Sequence, residues 1–381
     1  MRALVYEGPY RVRVRDKPAP RIEHPDDVIL RVTRAAICGS DLHLFHGMVP
    51  DTRVGTTFGH EFTGVVEEIG SSVRGVRAGD RLVVPFNISC GTCFYCERGL
   101  YGDCESSNPM NDLASGVFGY SHTTGGYDGG QAQYVRVPFA DVGPMKIPDD
   151  LDDEDVLLLS DVLPTGYQAA EMGAIRQGDV VAVLGCGPVG LVAARSAWLL
   201  GASRVVAVDR IEARLGFAER WAGAETIDLR REHDPIAALK ALKGGHGPDV
   251  VVDAVGMEAS GSAWQTLVGR KLKLAPGSSI ALHWAIHSVR KGGTVSIVGV
   301  YGPPANLVPI GVAMNKGLTF RMAQANVKRY MPHLLEHVRA GRLDGKGLIT
   351  HRFPLERAPE AYDLFDAKAD GCVKCVLVPS A

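Results

Sequence analysis

Apolar and polar residues alternate with a period of two through much of the first 150 or so residues. The opening "MRALVYEGPYRVRVRDKP" interleaves apolar with charged positions, and "DVILRVTRAAI", "FTGVVEEIG" and "DRLVVPF" are short runs set between Gly, Pro and Asp turns. Such spacing predicts half-buried strands, so this half reads as a barrel or a pair of sheets. After Thr165 the rhythm changes. Runs rich in β-branched residues, "VVAVLG", "RVVAVD", "DVVVDAVG" and "TVSIVGV", alternate with helical stretches such as "PVGLVAARSAWLLG" and "IEARLGFAERWAG". Continuous apolar strands separated by helices imply a parallel sheet covered on both faces. The tail holds a helical stretch, "MPHLLEHVRAG", then "LITHRFPL", "APEAYDLFD" and a predicted strand, "CVKCVLVP". The predicted fold class is α/β, a β-rich domain beside a doubly wound parallel sheet, with divisions at 1–164, 165–321 and 322–381.

Composition narrows the setting. At ~100–200 residues per domain, 381 residues suffice for two or three domains with a sizeable core. A formal net charge of -2 leaves no basic excess for a phosphate backbone, so nucleic acid is not an expected partner. No apolar run reaches the ~18 residues that a membrane helix needs, and the alternating N-terminus does not read as a signal peptide. The expected compartment is the cytoplasm, where clustered cysteines are more often metal ligands than disulfides.

Two motifs carry chemistry at recognisable spacing. In "VVAVLGCGPVG" the glycines Gly185, Gly187 and Gly190 form G-x-G-x-x-G after a strand and at the opening of a helix. The strand "RVVAVD" then ends in Asp209, 19 residues beyond Gly190. Gly185 permits the turn, Gly187 lets the backbone approach a pyrophosphate, and Gly190 lets helix and strand pack closely. Pro188 and Val189 open that helix, and Val298, after "TVSI", is a further cofactor-binding candidate. Asp209 can accept hydrogen bonds from ribose hydroxyls and repels a 2'-phosphate, which favours NAD over NADP, while Arg210 and Arg214 leave room for some NADP binding. The second motif, "CGTCFYCERGLYGDC", spaces Cys90, Cys93, Cys96 and Cys104 as C-x2-C-x2-C-x7-C. Four thiolates fill a tetrahedral zinc and leave no place for water, a closed structural site; an iron–sulfur cluster or a redox dithiol is the rival reading.

Other candidates are less specific taken alone. Cys38 in "ICGSDLH" and His60 in "FGHEFTG" suit zinc, but two ligands do not define a site, and a buried thiol with an ordinary histidine stays open. The acidic run at residues 149–155 reads as a solvated approach to a helix N-terminus. Cys186 reads as a small residue in the phosphate turn. Cys372 and Cys375 lie in the predicted strand "CVKCVLVP", where side chains three apart point to opposite faces, so they are not expected to act together as ligands.

In order and spacing, "CGSDLH", "GHEFTGVVEEIG", "GVRAGDRL", the four-cysteine loop and "GCGPVGL" resemble the zinc-containing medium-chain alcohol dehydrogenases, over essentially the whole chain. The resemblance implies a GroES-like catalytic domain interrupted by a Rossmann domain, with residues 322–381 returning to the first. "LLLSDVLPTGYQAA" and "GGYDGGQAQYVRVPFAD" are similar to the formaldehyde dehydrogenase branch, particularly its glutathione-independent enzymes, in which an Asp stands where many relatives have a second catalytic cysteine. By position that residue is Asp161; a helix N-cap is the alternative use for it. The implied catalytic zinc is held by Cys38, His60 and Asp161 with one position open, Glu61 serving as a transient ligand or neighbouring charge. That makes two zinc ions per chain.

The likeness also implies a proton relay from Ser40 through the cofactor ribose to His43, with Thr165 beside the nicotinamide and Lys374 on the pyrophosphate. His46 reads as a surface neighbour. The loop at residues 119–130, with Tyr120, His122 and Tyr127, is expected to border the substrate pocket or to be a plain hairpin. Residues 257–279 look like the branch's insertion, which can cover NAD; retained NAD would allow an aldehyde to be disproportionated into acid and alcohol. The implied activity is hydride transfer between NAD and an alcohol or hydrated aldehyde, by a homo-oligomer, either dimer or tetramer. Polyol or amino-alcohol dehydrogenases are the alternative within the enzyme class, and a non-catalytic nucleotide-binding protein the alternative outside it.

Overall fold

The alternating N-terminal segment folds as an antiparallel pair, Arg2–Gly8 with Arg11–Asp16. The computed structural model describes residues 1–110, 113–256, 279–301 and 308–379. Within it the chain divides into two compact units, Met1–Pro164 together with Gln324–Ala381, and Thr165–Ala323. The second unit extends slightly past the predicted 321, because its last strand, Thr319–Met322, is bound into the parallel sheet through Met322 opposite Ile297. The predicted insertion at residues 257–279 lies outside the described residues, apart from Ser279.

In the first unit the strand Val28–Ile37 is the organising element. Glu61–Ile69 pairs antiparallel along one of its edges, while Tyr134–Val137 and Cys375–Val378 share the other. Its residues are mostly buried, so one strand packs against two apolar clusters, one around Leu30, Phe62, Leu82 and Phe118 and one around Ile37, Phe58, Tyr362 and Leu377. Register decides which residues gather where the strand ends. Ala36 stands opposite Glu61 and Ile37 opposite Cys375. Cys38, His60 and Lys374, each the adjoining residue in sequence, therefore meet at one end of the sheet.

The tail reaches that sheet through His351–Pro354, which runs parallel to Cys375–Val378. Here one expectation is corrected. The strand begins only at Cys375, and Cys372 lies in the turn before it, so strand alternation does not govern the pair. Their Sγ atoms are 3.3 Å apart. The acidic run behaves as expected of a helix start: Asp152 caps the helix Asp153–Leu157 by accepting from the N–H groups of Glu154 and Asp155. Glu154 is clamped by Arg352 and Arg34, which hold its carboxyl below the usual range and tie the returning tail to the central strand.

The second unit is a six-stranded parallel sheet in the order Glu225–Asp228, Arg204–Asp209, Val180–Leu184, Val250–Asp253, Thr294–Ile297, Thr319–Met322. Val180–Leu184 is buried at every position, as a central strand covered on both faces requires. The sheet's order reverses beside this strand, and ligands of such sheets bind at the strands' carboxyl ends there. The helix Pro188–Leu199 starts immediately after the glycine turn. Gly185 has φ +91°, and a Cβ at Gly190 would lie 1.9 Å from the carbonyl oxygen of Gly185.

Gly190→Ala is therefore expected to push the helix off the strand, lowering stability by about 1–3 kcal/mol, read from the urea midpoint at constant slope. An unchanged midpoint would refute so close an approach.

Candidate metal centres and dinucleotide site

The first cluster gathers Cys38, His60, Glu61 and Asp161, whose ligand atoms all lie within 4.8 Å of one another. Cys38 follows the central strand and stands at the N-cap of the helix Gly39–Phe45, His60 immediately precedes the strand Glu61–Ile69, and Asp161 immediately precedes the helix Val162–Met172. Cys38 Sγ is 3.4 Å and His60 Nε2 is 3.3 Å from Asp161 Oδ2. Tetrahedral zinc, bonded to sulfur at ~2.3 Å and to nitrogen or oxygen at ~2.0–2.2 Å, sets ligand–ligand edges of about 3.3–3.8 Å. The donors fit that ion in both chemistry and spacing.

Sequence reasoning missed what holds these ligands. Asp41 Oδ2 accepts from the Cys38 N–H at 2.9 Å and from Gln131 Nε2 at 3.3 Å, and Asp41 Oδ1 lies 3.3 Å from His60 Nδ1. Gln131 in turn accepts from the Tyr362 hydroxyl at 2.8 Å and donates to the Ala36 carbonyl. The Asp41 carboxylate thus stands beside the far ring nitrogen without meeting hydrogen-bond geometry, while Nε2 is turned toward Asp161. Asp41 stands within "CGSDLH", where the residue could have been noticed; nothing local marks Gln131 or Tyr362.

Lys374, expected on the pyrophosphate, has a fully buried side chain in this structure, with Nζ 2.5 Å from Glu61 Oε1. Burial works against its charge, but Glu61, Cys38 and Asp161 outweigh that and hold its pKa above the ordinary value. Glu61 Oε2 has no hydrogen-bond partner among the described residues.

The electrostatics of the cluster favour a cation. Burial, then Asp161 and Glu61, push the Cys38 thiol up, with Lys374 opposing. Burial disfavours a charged His60, yet Asp41, Cys38 and Asp161 draw a proton onto it so strongly that its pKa stands well above the usual value. A metal ion would satisfy the same demand.

Ser40 and His43 lie three residues apart on the short helix and so share a face, with Ser40 Oγ 3.4 Å from His60 Nε2. His43 is buried, whereas His46 is less of a surface residue than expected, since its Nε2 contacts Asp366 Oδ1 at 2.9 Å. In the 119–130 loop Tyr120 comes near enough to His60, Asp41 and Cys38 to feel their charges, and burial pushes its phenol up.

Cys90, Cys93, Cys96 and Cys104 form a separate cluster with ligand atoms within 4.8 Å. The backbone N–H groups of Thr92 and Cys93 point at Cys90 Sγ, 3.4 and 3.3 Å away, and that of Cys90 at Cys104 Sγ, also at 3.3 Å. Burial raises the Cys90 thiol, but these donors and Ser106 outweigh it and lower its pKa to about 6. Burial raises the Cys96 and Cys104 thiols instead, and the 3.9 Å between Cys93 and Cys104 Sγ is close to a zinc–thiolate edge of about 3.8 Å.

In the second unit, a Cβ at Gly187 would meet nothing nearer than Arg214 Nη1 at 3.8 Å among the described residues, so backbone there can be approached closely. Asp209 Oδ2 accepts from the Cys186 N–H at 2.7 Å, and Oδ1 from the N–H groups of Arg210 and Ile211. Its carboxylate thus sits at the glycine turn with lone pairs still available. Cys186 is buried in that turn, Val298 follows the strand Thr294–Ile297, and Thr165 begins the unit.

A unit with this cysteine loop and a doubly wound nucleotide-binding unit define a zinc-binding medium-chain dehydrogenase. Residues 24–149 match the alcohol dehydrogenase GroES-like domain and residues 188–270 the zinc-binding dehydrogenase model. The chain is 44% identical over 381 residues to the zinc-type alcohol dehydrogenase-like protein AdhB of Bacillus subtilis, covering 100% of both. It is 35% identical to the glutathione-independent formaldehyde dehydrogenase of Pseudomonas aeruginosa, covering 96% of this chain and 95% of that one. The alcohol dehydrogenase TADH of Thermus sp. ATN1 superposes with a TM-score of 0.86 at 40% identity, covering 100% of each chain. The chain belongs to the zinc-type medium-chain alcohol dehydrogenase family, and is an oxidoreductase of that family. No helix among the described residues is long and apolar enough to cross a membrane.

Lys374→Met is expected to cost about 3–5 kcal/mol of stability by leaving Glu61 buried and unpaired. Adding Glu61→Gln should recover part of that loss in urea unfolding. A loss in the single variant below about 1 kcal/mol would refute a desolvated pair.

Proposed function

We propose that the protein is a zinc- and NAD-dependent dehydrogenase of alcohols or hydrated aldehydes, with a catalytic zinc on Cys38, His60 and Asp161 and a structural zinc on Cys90, Cys93, Cys96 and Cys104. The observation that carries this reading is the convergence of a thiol, an imidazole and a carboxylate at tetrahedral edge lengths, with Ser40 beside them. Bound zinc supplies a Lewis acid to a substrate oxygen and bound nicotinamide supplies a hydride acceptor.

The remaining work belongs to the chain's own side chains. Ser40 receives the substrate hydroxyl's proton, and His43, on the same helix face, is where that proton leaves the site. Asp41 stands beside the His60 ring while Lys374 neutralises Glu61. The N–H groups at the start of the helix Pro188–Leu199 and the open space at Gly187 suit a pyrophosphate, with Pro188, Val189, Thr165 and Val298 as further contacts. Asp209 receives the adenosine ribose, and Arg210 and Arg214 flank the adenine. An assembly of identical copies is part of this reading, supported by Thr319–Met322 standing at an edge of its sheet with Met314 and Met322 exposed.

Turnover of alcohols, aldehydes and polyols, followed through NADH absorbance, should fall by roughly 100-fold or more in Asp161→Ala. Cys38→Ser and Cys90→Ser should each hold one zinc fewer per chain than wild type, and undiminished zinc in Cys38→Ser would overturn the catalytic site. Asp209→Gly should shift the NAD to NADP efficiency ratio toward NADP by about tenfold, or ~1.4 kcal/mol. An unchanged ratio would remove Asp209 from cofactor selection.

A further inference from the structure

The two cysteines that strand alternation would set apart stand together, and they are not alone. His351 is the direct cross-strand partner of Cys375 in the parallel pair, so their side chains leave the same face. Cys372 comes round from the preceding turn to place its Sγ 3.3 Å from that of Cys375. The donor atoms of all three residues lie within 4.8 Å of one another, the same convergence seen in the other two clusters. Both cysteines are buried, at 3% and 0% exposure, while the His351 side chain keeps 19% and reaches the surface. His351 Nε2 lies 3.3 Å from Oδ2 of the exposed Asp370 and Nδ1 lies 2.9 Å from Thr350 Oγ1, so a cation takes one ring nitrogen from its present partner while the other contact holds the ring, as commonly accompanies a ligating histidine.

We propose that His351, Cys372 and Cys375 form a third metal site, one that takes a soft cation such as Zn2+ through two thiolates and one imidazole. Three protein donors leave a fourth position for water, with Asp370 kept as the partner of the imidazole. The Sγ separation needs to widen by only about 0.5 Å to reach a zinc–thiolate edge of about 3.8 Å. Binding is balanced by release of two thiol protons to solvent per cation taken up.

A disulfide is the competing use of this pair, and it would make no use of His351, whose donor converges on the same two sulfurs from the neighbouring strand. The site is separate from the cluster at Cys38: Lys374 lies between the two cysteines in sequence, but its ammonium is on Glu61.

The test equilibrates the intact holoenzyme by dialysis against micromolar Zn2+ under a phosphine reductant, desalts it and measures zinc per chain. Wild type is expected to hold one zinc more than Cys372→Ala/Cys375→Ala and one more than His351→Gln. His351→Gln lies outside the apolar core, so it carries the test should the double variant fail to fold. Zinc uptake by wild type, followed in weakly buffered solution, should release two protons for this equivalent. Equal zinc in wild type and His351→Gln overturns the proposal. So does a Cys372–Cys375 disulfide in protein isolated without reductant, if the reduced form then takes up no additional zinc.

Discussion

A surplus of buried acidic groups at one end of the sheet built on Val28–Ile37 is the constraint on which the first unit depends. Asp41, Glu61, Asp161 and the Cys38 thiol are set against one ammonium, Lys374, and the imidazole of His60. Such a surplus is costly in a medium of low dielectric unless a cation shares it. The pull on His60 toward its charged form expresses that demand. In the function proposed above, zinc meets that demand at donors whose separations suit its bonds.

The second unit solves a different problem by backbone alone. Its phosphate site needs no buried charge beyond Asp209, because the helix dipole and unpaired N–H groups supply the positive end. What it needs is absence of side chains: Gly187 leaves a space and Gly190 allows contact at a distance that no Cβ would tolerate. This is also why the site is legible in sequence. A steric requirement for glycine at fixed offsets writes itself directly into the chain, as does a closed four-thiolate loop.

Features that depend on register or on distant partners are less legible. The sequence alone offers Cys38 and His60 as two unrelated residues, and only resemblance joins Asp161 to them. Asp41 can be seen within its motif but not its bond to Gln131, 90 residues away. Resemblance alone puts Lys374 on the pyrophosphate, and a lysine at a strand end is normally solvated; beside the pairing of Cys375 with Ile37 it is buried instead. Cys372 and Cys375 are separated only by supposing that the strand begins three residues early, and a boundary error of that size reverses a conclusion about which side chains meet.

The pairing of Lys374 with Glu61 spans 313 positions of the chain. Glu61 and its neighbours are therefore made long before the ammonium that neutralises Glu61, whereas Thr165–Ala323 is one contiguous stretch. Loss of the segment that carries Lys374 would leave Glu61 in the acidic pocket without its counter-ion.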